Sequence, residues 1–264
     1  MKKLNLYAQF LFLISLLGML VFASCDSKDD SGTQVGPNST SPGQTGTVGS
    51  TARFAIANDH IYVLNSNNLS AYSITNEGNI SFVTANNLGN GISAETLFPY
   101  GGYLFMGTTT GMNIYNMDEP ARPRFVSTYR HITACDPVVV SGNYAYVTLR
   151  DGMACQNTVN RLDVVDISNI TSPQQVGQLN MLNPHGLAIR GTQLVVCEGA
   201  NGIKSLTVDN PTLPGVRQFL QDGHAVDVIA GPSSWVVTGD AGISQYELDG
   251  LGQLRRIGFL PAGK

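Results

Sequence analysis

Apolar positions recur along this chain in a fixed phrase. A triplet of the form Φ-x-x-Φ-x-Φ, with Φ an apolar residue, precedes polar turn residues five times: Leu69/Tyr72/Ile74, Met112/Tyr115/Met117, Leu162/Val165/Ile167, Ile203/Leu206/Val208 and Ile243/Tyr246/Leu248. Successive copies are 43, 50, 41 and 40 residues apart. Gly111, Gly202 or Gly242 stands just before the triplet in three copies, Asn68 in the first, and Gly152 is displaced by an insertion in the third. Upstream of each lies a short apolar run (Ile61–Leu64, Tyr103–Met106, Tyr144–Val147, Leu194–Cys197, Trp235–Val237), farther upstream another, and a last run closes each unit, as in Phe125-Val-Ser-Thr-Tyr. Short β-branched and aromatic runs punctuated by Gly, Asn and Pro are strands. Four strands per unit at a period of about 40–50 residues is the signature of a propeller blade.

The sequence therefore predicts an all-β fold, a β-propeller of five four-stranded antiparallel blades over residues 52–264. One such sheet cannot cover both of its apolar faces, and packing blade on blade around a ring does so. A two-sheet sandwich is the competing architecture, but it leaves five similar periods unexplained. Composition agrees. Charged residues make up only 13% of the chain and glycines number 29, which favours strands and tight turns over surface helices. The formal net charge is −4, and no basic cluster longer than Arg255-Arg256 follows the first three residues. Nucleic acid is excluded as a partner, because phosphate neutralisation needs a basic patch.

Leu162-Asp-Val-Val-Asp-Ile-Ser-Asn, preceded by Asp136-Pro-Val-Val-Val-Ser-Gly-Asn-Tyr-Ala-Tyr-Val-Thr, resembles the LVIVD repeat of bacterial cell-surface proteins. Met112-Asn-Ile-Tyr-Asn-Met-Asp-Glu-Pro matches well, and the first, fourth and fifth copies match less closely. The resemblance implies a propeller fold and a surface location, and supplies no chemistry.

The N-terminus gives an address. Lys2 and Lys3 precede an apolar stretch, Phe10–Ala23, that is too short to span a bilayer core of about 30 Å comfortably and reads as a signal h-region. Ala23-Ser24-Cys25 resembles a bacterial lipobox, with Phe22 where Leu is usual. This implies a signal peptide over 1–24 and acylation of Cys25, which would tether the protein to a membrane without embedding it. Asp26-Ser27-Lys28-Asp29-Asp30 resembles the export signal of surface-exposed lipoproteins of Gram-negative bacteria, so an outer-membrane, outward-facing location is expected; a plain charged spacer is the alternative. Ser31–Ser50 is rich in Ser, Gly, Thr, Pro and Asn, and the segment 25–51 is read as a lipidated flexible stalk.

In an oxidising compartment Cys135 and Cys155 are expected to form a disulfide, because the connections that carry them emerge on one face of a propeller; it would contribute about 3 kcal/mol. Cys197 falls within a strand and is expected to be a buried small hydrophobe. His185 and His224 occupy matching places ahead of Gly191 and Gly231, and His131 lies in the preceding connector. With Asp136, Asp151, Glu198, Asp227 and Asp240 they form a candidate ligand-binding rim at the mouth of the ring, with a divalent cation or a polar ligand as conceivable occupants. Structural roles compete, since Asp and His in connectors often satisfy loop amides. No H-E-x-x-H, C-x-x-C, G-x-S-x-G or P-loop pattern accompanies them, no cofactor is implied, and no catalytic residue is assigned.

Three functions fit. The first is a non-catalytic recognition module that offers its loop face to a protein or glycan. The second is a hydrolase or lyase built on His185, His224 and Asp136. The third is a structural subunit of an outer-membrane complex; fold alone does not choose among them.

Overall fold

The computed structural model describes residues 51–65, 67–89, 93–131, 137–151 and 159–263. The signal segment, Cys25, the stalk up to residue 50, Cys135, Asp136 and Cys155 lie outside the described residues, and with them the expected acylation and disulfide.

Five four-stranded sheets follow one another along the chain. Blade 1 is β1 (Phe54–Ala57), β2 (His60–Asn65), β3 (Asn68–Ile74) and β4 (Ile80–Asn87). Blade 2 is β5 (Ala94–Tyr100), β6 (Tyr103–Thr108), β7 (Gly111–Asn116) and β8 (Arg124–Arg130). Blade 3 is β9 (Val138–Ser141), β10 (Tyr144–Leu149), β11 (Arg161–Asp166) and β12 (Gln174–Asn180). Blade 4 is β13 (Leu187–Arg190), β14 (Gln193–Cys197), β15 (Ile203–Thr207) and β16 (Gly215–Leu220). Blade 5 is β17 (Asp227–Ala230), β18 (Trp235–Gly239), β19 (Gly242–Leu248) and β20 (Leu254–Pro261). Each sheet pairs its strands in sequence order and antiparallel, which makes the molecule an all-β five-bladed propeller.

The first two members of each apolar triplet lie in the third strand of its blade, and the last ends that strand or follows it directly. In every blade the register with the fourth strand slips just before the triplet's second member, at Ala71/Tyr72, Ile114/Tyr115, Val164/Val165, Ser205/Leu206 and Gln245/Tyr246. The extra residue of the bulge sits on the outermost strand, where it increases the local twist. Side chains alternate along the third strand, so the first and second members of a triplet face opposite neighbours. The glycine ahead of the triplet also has a cause. A Cβ at Gly111, Gly202 or Gly242 would stand 2.2, 2.2 or 2.1 Å from the carbonyl oxygen of Tyr129, Leu220 or Leu260 on the outer strand, and all three have positive φ.

The common register makes the blades comparable position by position. On the face turned towards the preceding blade, Phe54, Leu97, Val138, Leu187 and Val228 are equivalent, each paired with a second-strand residue of the same face. On the other face Ala55, Phe98, Val139, Ala188 and Ile229 correspond. Blade 1 packs on blade 2 through one apolar cluster that includes Ala55 and Leu97. Blades 2, 3 and 4 share a second with Phe98, Val138, Val139 and Leu187. Blades 4 and 5 share a third with Ala188 and Val228. Four junctions are thus close-packed, their side chains largely removed from water.

The fifth junction differs. Successive inner strands pack β1 on β5, β5 on β9, β9 on β13 and β13 on β17, but no comparable packing joins β17 to β1. Among the described residues no apolar cluster spans blades 5 and 1. Phe54 remains 51% exposed, whereas its equivalents Leu97, Val138, Leu187 and Val228 are at 0%.

Candidate functional site

In an antiparallel blade the first and third strands start, and the second and fourth end, on one side of the ring. That side carries the connectors and the turns between second and third strands, and it is called the loop face here. His185, in the connector from blade 3 to blade 4, and His224, in the connector from blade 4 to blade 5, meet there with ring centroids 6.2 Å apart in an edge-on arrangement. The backbone fixes both. His185 donates its N–H to the Cys197 carbonyl at 2.8 Å, and its own carbonyl accepts from Thr148 Oγ1 at 2.8 Å. Gly199 and Ala225 exchange N–H···O bonds of 3.0 and 2.9 Å, which clamps the turn after β14 to the connector carrying His224. Gly199 has φ +55°, and a Cβ there would lie 2.8 Å from His185 Nε2 and 2.6 Å from Asn183 Nδ2. Only glycine lets the turn come this close.

Arg150, which follows β10, places Nη1 3.4 Å from His185 Nε2. A guanidinium only donates, so Nε2 is the acceptor and the ring proton sits on Nδ1. Burial first, then the charges of Arg150 and His224, push the His185 pKa down to about 4. His185 is therefore neutral at neutral pH. His224 Nδ1 lies 3.1 Å from Asp240 Oδ2, whose side chain is 80% exposed. Asp227, at the head of β17, is half-buried; its Oδ2 accepts from Thr51 Oγ1 at 2.5 Å and its Oδ1 from the Val228 N–H at 2.9 Å.

The remaining rim residues divide. Glu198 is wholly buried and ion-paired to Lys204 at 2.5 Å. Its Oε2 accepts from the N–H groups of Leu182 (3.0 Å) and Asn183 (2.7 Å). It therefore ties the connector leaving blade 3 to blade 4 and is a structural carboxylate, not the rim ligand that its position in the sequence suggests. Asp151 donates its N–H to Asn160 Oδ1 at 3.1 Å, at the base of the insertion in blade 3. His131 lies against Tyr129, with ring centroids 5.8 Å apart, at the end of β8. Among the described residues no three of His, Cys, Asp and Glu come together as a metal site, so the cation occupant finds no support from them. Cys197 is a buried thiol within β14, and burial pushes its pKa well up, so it packs as the small hydrophobe expected.

Two features escape the sequence reading. Asp163, the acidic residue inside the third triplet, is fully buried and accepts from Tyr129 Oη (3.0 Å), Arg161 Nη2 (3.1 Å) and Gln175 Nε2 (3.0 Å). Because Tyr129 belongs to β8, this cross-links blades 2 and 3. The second is a groove of about 710 Å³ between the outer strand of blade 1 and blade 2, lined by Asn86, Asn113, Tyr115, Phe125, Thr128 and Arg130 among others. Its aromatic pair, Tyr115 and Phe125, stands edge-on at 5.7 Å and recurs in blade 1 as Tyr72 and Phe82 at 5.6 Å. That recurrence is the signal by which sequence could have found it.

These features define a five-bladed propeller with a polar loop face built on Arg150, His185 and His224. Residues 133–181 match the LVIVD repeat. No curated protein matches the chain. Among solved structures, a protein from Lactobacillus plantarum is similar at 15% identity and a TM-score of 0.64, covering 77% of this chain and 69% of that one. The periplasmic gluconolactonase of Pseudomonas aeruginosa is similar at 14% identity and a TM-score of 0.60, covering 78% and 68%. A functionally unknown protein from Desulfotomaculum acetoxidans gives 14% identity and a TM-score of 0.66, covering 80% and 70%. At these identities the likeness is one of fold.

Proposed function

We propose that the chain is a lipid-anchored recognition module, displayed on the outer membrane of a Gram-negative bacterium, that presents the loop face of its propeller to a protein or glycan partner. The address rests on the lipobox-like Ala23-Ser24-Cys25 and the acidic run after it. The observation that carries the binding role is the Arg150–His185–His224 row, in which the Thr148 hydroxyl and backbone bonds from Cys197 and Gly199 hold the segments that carry the two histidines. A guanidinium beside a neutral imidazole offers directed donors to a polar or anionic group, and a rigid scaffold spares the ordering cost of binding. Cross-linking of the full chain in intact cells, followed by pull-down, tests this. The reading expects a defined neighbour or surface glycan captured by the wild type and lost when Arg150→Ala and His224→Ala are combined; capture unchanged by that variant overturns it.

The His224–Asp240 contact favours a second reading, a hydrolase or lyase in which Asp240 orients a general base. That reading requires His224→Asn to abolish a turnover that His131→Asn leaves intact. The exposure of Asp240 weighs against it, because an orienting carboxylate works best out of water.

A further inference from the structure

In every blade one residue of the fourth strand stands opposite the first triplet member, on the side turned to the following blade. The common register puts Asn86, Tyr129, Leu179, Leu220 and Leu260 at that place. Between blades 2 and 3 it is filled by Tyr129, 7% exposed, whose hydroxyl donates to Asp163. Leu179 packs against the core shared by blades 2, 3 and 4, and Leu220 against the core shared by blades 4 and 5. Between blades 1 and 2 the position falls to Asn86, a smaller side chain whose Nδ2 donates to the Pro123 carbonyl at 3.2 Å. The groove of about 710 Å³ opens where the large side chain is missing.

Its lining is polar and carries one sign of charge. Asn113, on β7, is 6% exposed and lies in the wall of the groove. Its Oδ1 accepts from Thr128 Oγ1 at 2.7 Å, while its Nδ2 has no hydrogen-bond partner among the described residues. A deeply placed amide N–H without an acceptor is costly, and a ligand oxygen in the groove would answer it. Arg130, exposed at the end of β8, makes no ion pair with a described residue and is the one charged residue in the described lining. A free guanidinium with no carboxylate beside it, in a chain of net charge −4, is matched by an anion with two oxygens. Phe125 is 58% exposed and stands edge-on to the buried Tyr115, which gives the groove a fixed aromatic surface.

These features select one ligand chemistry. Amides and hydroxyls exchange hydrogen bonds with sugar hydroxyls, an aromatic ring takes the C–H face of a pyranose, and a guanidinium takes a carboxylate bidentately. The apolar anchors of a peptide find no matching floor, because Asn86, Asn113 and Thr128 make it. The volume lies within the range of about 300–1,000 Å³ that small-ligand sites occupy. We infer that the groove between blades 1 and 2 is a binding site for a short acidic oligosaccharide, with Arg130 on a sugar carboxylate, Asn113 and Thr128 on hydroxyls, and Phe125 against a sugar ring. It lies apart from the Arg150–His185–His224 row, which blades 3 to 5 carry, and stands independently of it.

The test is isothermal titration of the full chain in detergent with trigalacturonate, trimannuronate and sialyllactose, against neutral maltotriose and lactose and the peptide hexaglutamate. At least one acidic sugar should bind, with the neutral sugars and the peptide weaker by about tenfold or more. Arg130→Gln and Phe125→Ala should each weaken that binding by about tenfold. Asn86→Leu, which gives blade 1 the residue that blades 3, 4 and 5 carry, should abolish it without lowering the thermal midpoint. Combined Arg150→Ala and His224→Ala should leave it unchanged, so that failure of the groove and failure of the loop-face reading are told apart. The inference is overturned if no acidic sugar binds, if neutral sugars or hexaglutamate bind equally well, or if folded Asn86→Leu still binds. Unchanged binding by Arg130→Gln, an exposed position where misfolding is no concern, overturns it as well.

Discussion

Thr51 Oγ1 donates to Asp227 Oδ2 at 2.5 Å, which joins the residue three places before β1 to the first residue of β17. The inner ends of blades 1 and 5 therefore touch on the loop face although their sheets do not pack. A hydrogen bond to a carboxylate contributes about 1.5–3 kcal/mol. Thr51→Val should lower stability by about 1–2 kcal/mol, near the lower end of that range because the site is only part-buried. A shift in the denaturation midpoint checks this, and no shift would mean that the link does not hold the ends.

The clamp on the loop face depends on Gly199. Alanine there combines a left-handed φ with a Cβ 2.6–2.8 Å from Asn183 and His185. Gly199→Ala is expected to cost about 2 kcal/mol or more and to displace His185, whereas Gly250→Ala, where a Cβ meets nothing within 4 Å, should be near neutral. Thermal unfolding of the two variants side by side decides it.

His185 titrates at about 4 in the folded chain against an ordinary 6.5. Between those values the unfolded chain binds a proton that the folded chain does not, so stability is full above pH 6.5, falls as the pH drops through the window, and levels off below about 4. For a half-buried ring the loss, allowing for solvent screening, is about 1–2 kcal/mol. His185→Asn should remove that part of the acid slope, as seen by comparing denaturation midpoints of wild type and variant at pH 7 and pH 4.5. Parallel pH profiles would contradict it.

Removing one partner of a buried ion pair strands the other. Asp163→Ala takes the carboxylate from Arg161 and the acceptor of Tyr129 Oη from the blade 2–3 junction, and Glu198→Ala takes the acceptor from Lys204 and two loop amides. Each is expected to cost about 3–5 kcal/mol, against about 1 kcal/mol or less for Asp240→Ala on the surface. Urea denaturation ranks the three.

The blades were legible because a third strand buried on both faces leaves its apolar residues in a fixed phrase, and because a glycine must precede it where the outer-strand carbonyl comes close. What the phrase hides is the facing of its members. Leu69 and Tyr72 lie on opposite sides of their sheet. The meeting of His185 and His224 was readable only from their places in adjacent connectors on one face, since by the observed register His185 stands two residues before Leu187 and His224 four before Val228. Glu198 was not, since its pairing with Lys204 depends on the short turn that brings β15 back beside β14, and that turn buries both ends of the pair. The unpacked junction was equally hidden: periodicity requires two apolar faces per blade but says nothing of the angle between blades, which decides whether five of them complete a turn.

Thiol labelling tests the common register and the unpacked junction together. Phe54→Cys and Leu97→Cys occupy equivalent positions in neighbouring blades. A maleimide should modify the first quickly and leave the second protected until the protein unfolds. Equal protection of both positions, or equal reactivity, would contradict the architecture described above.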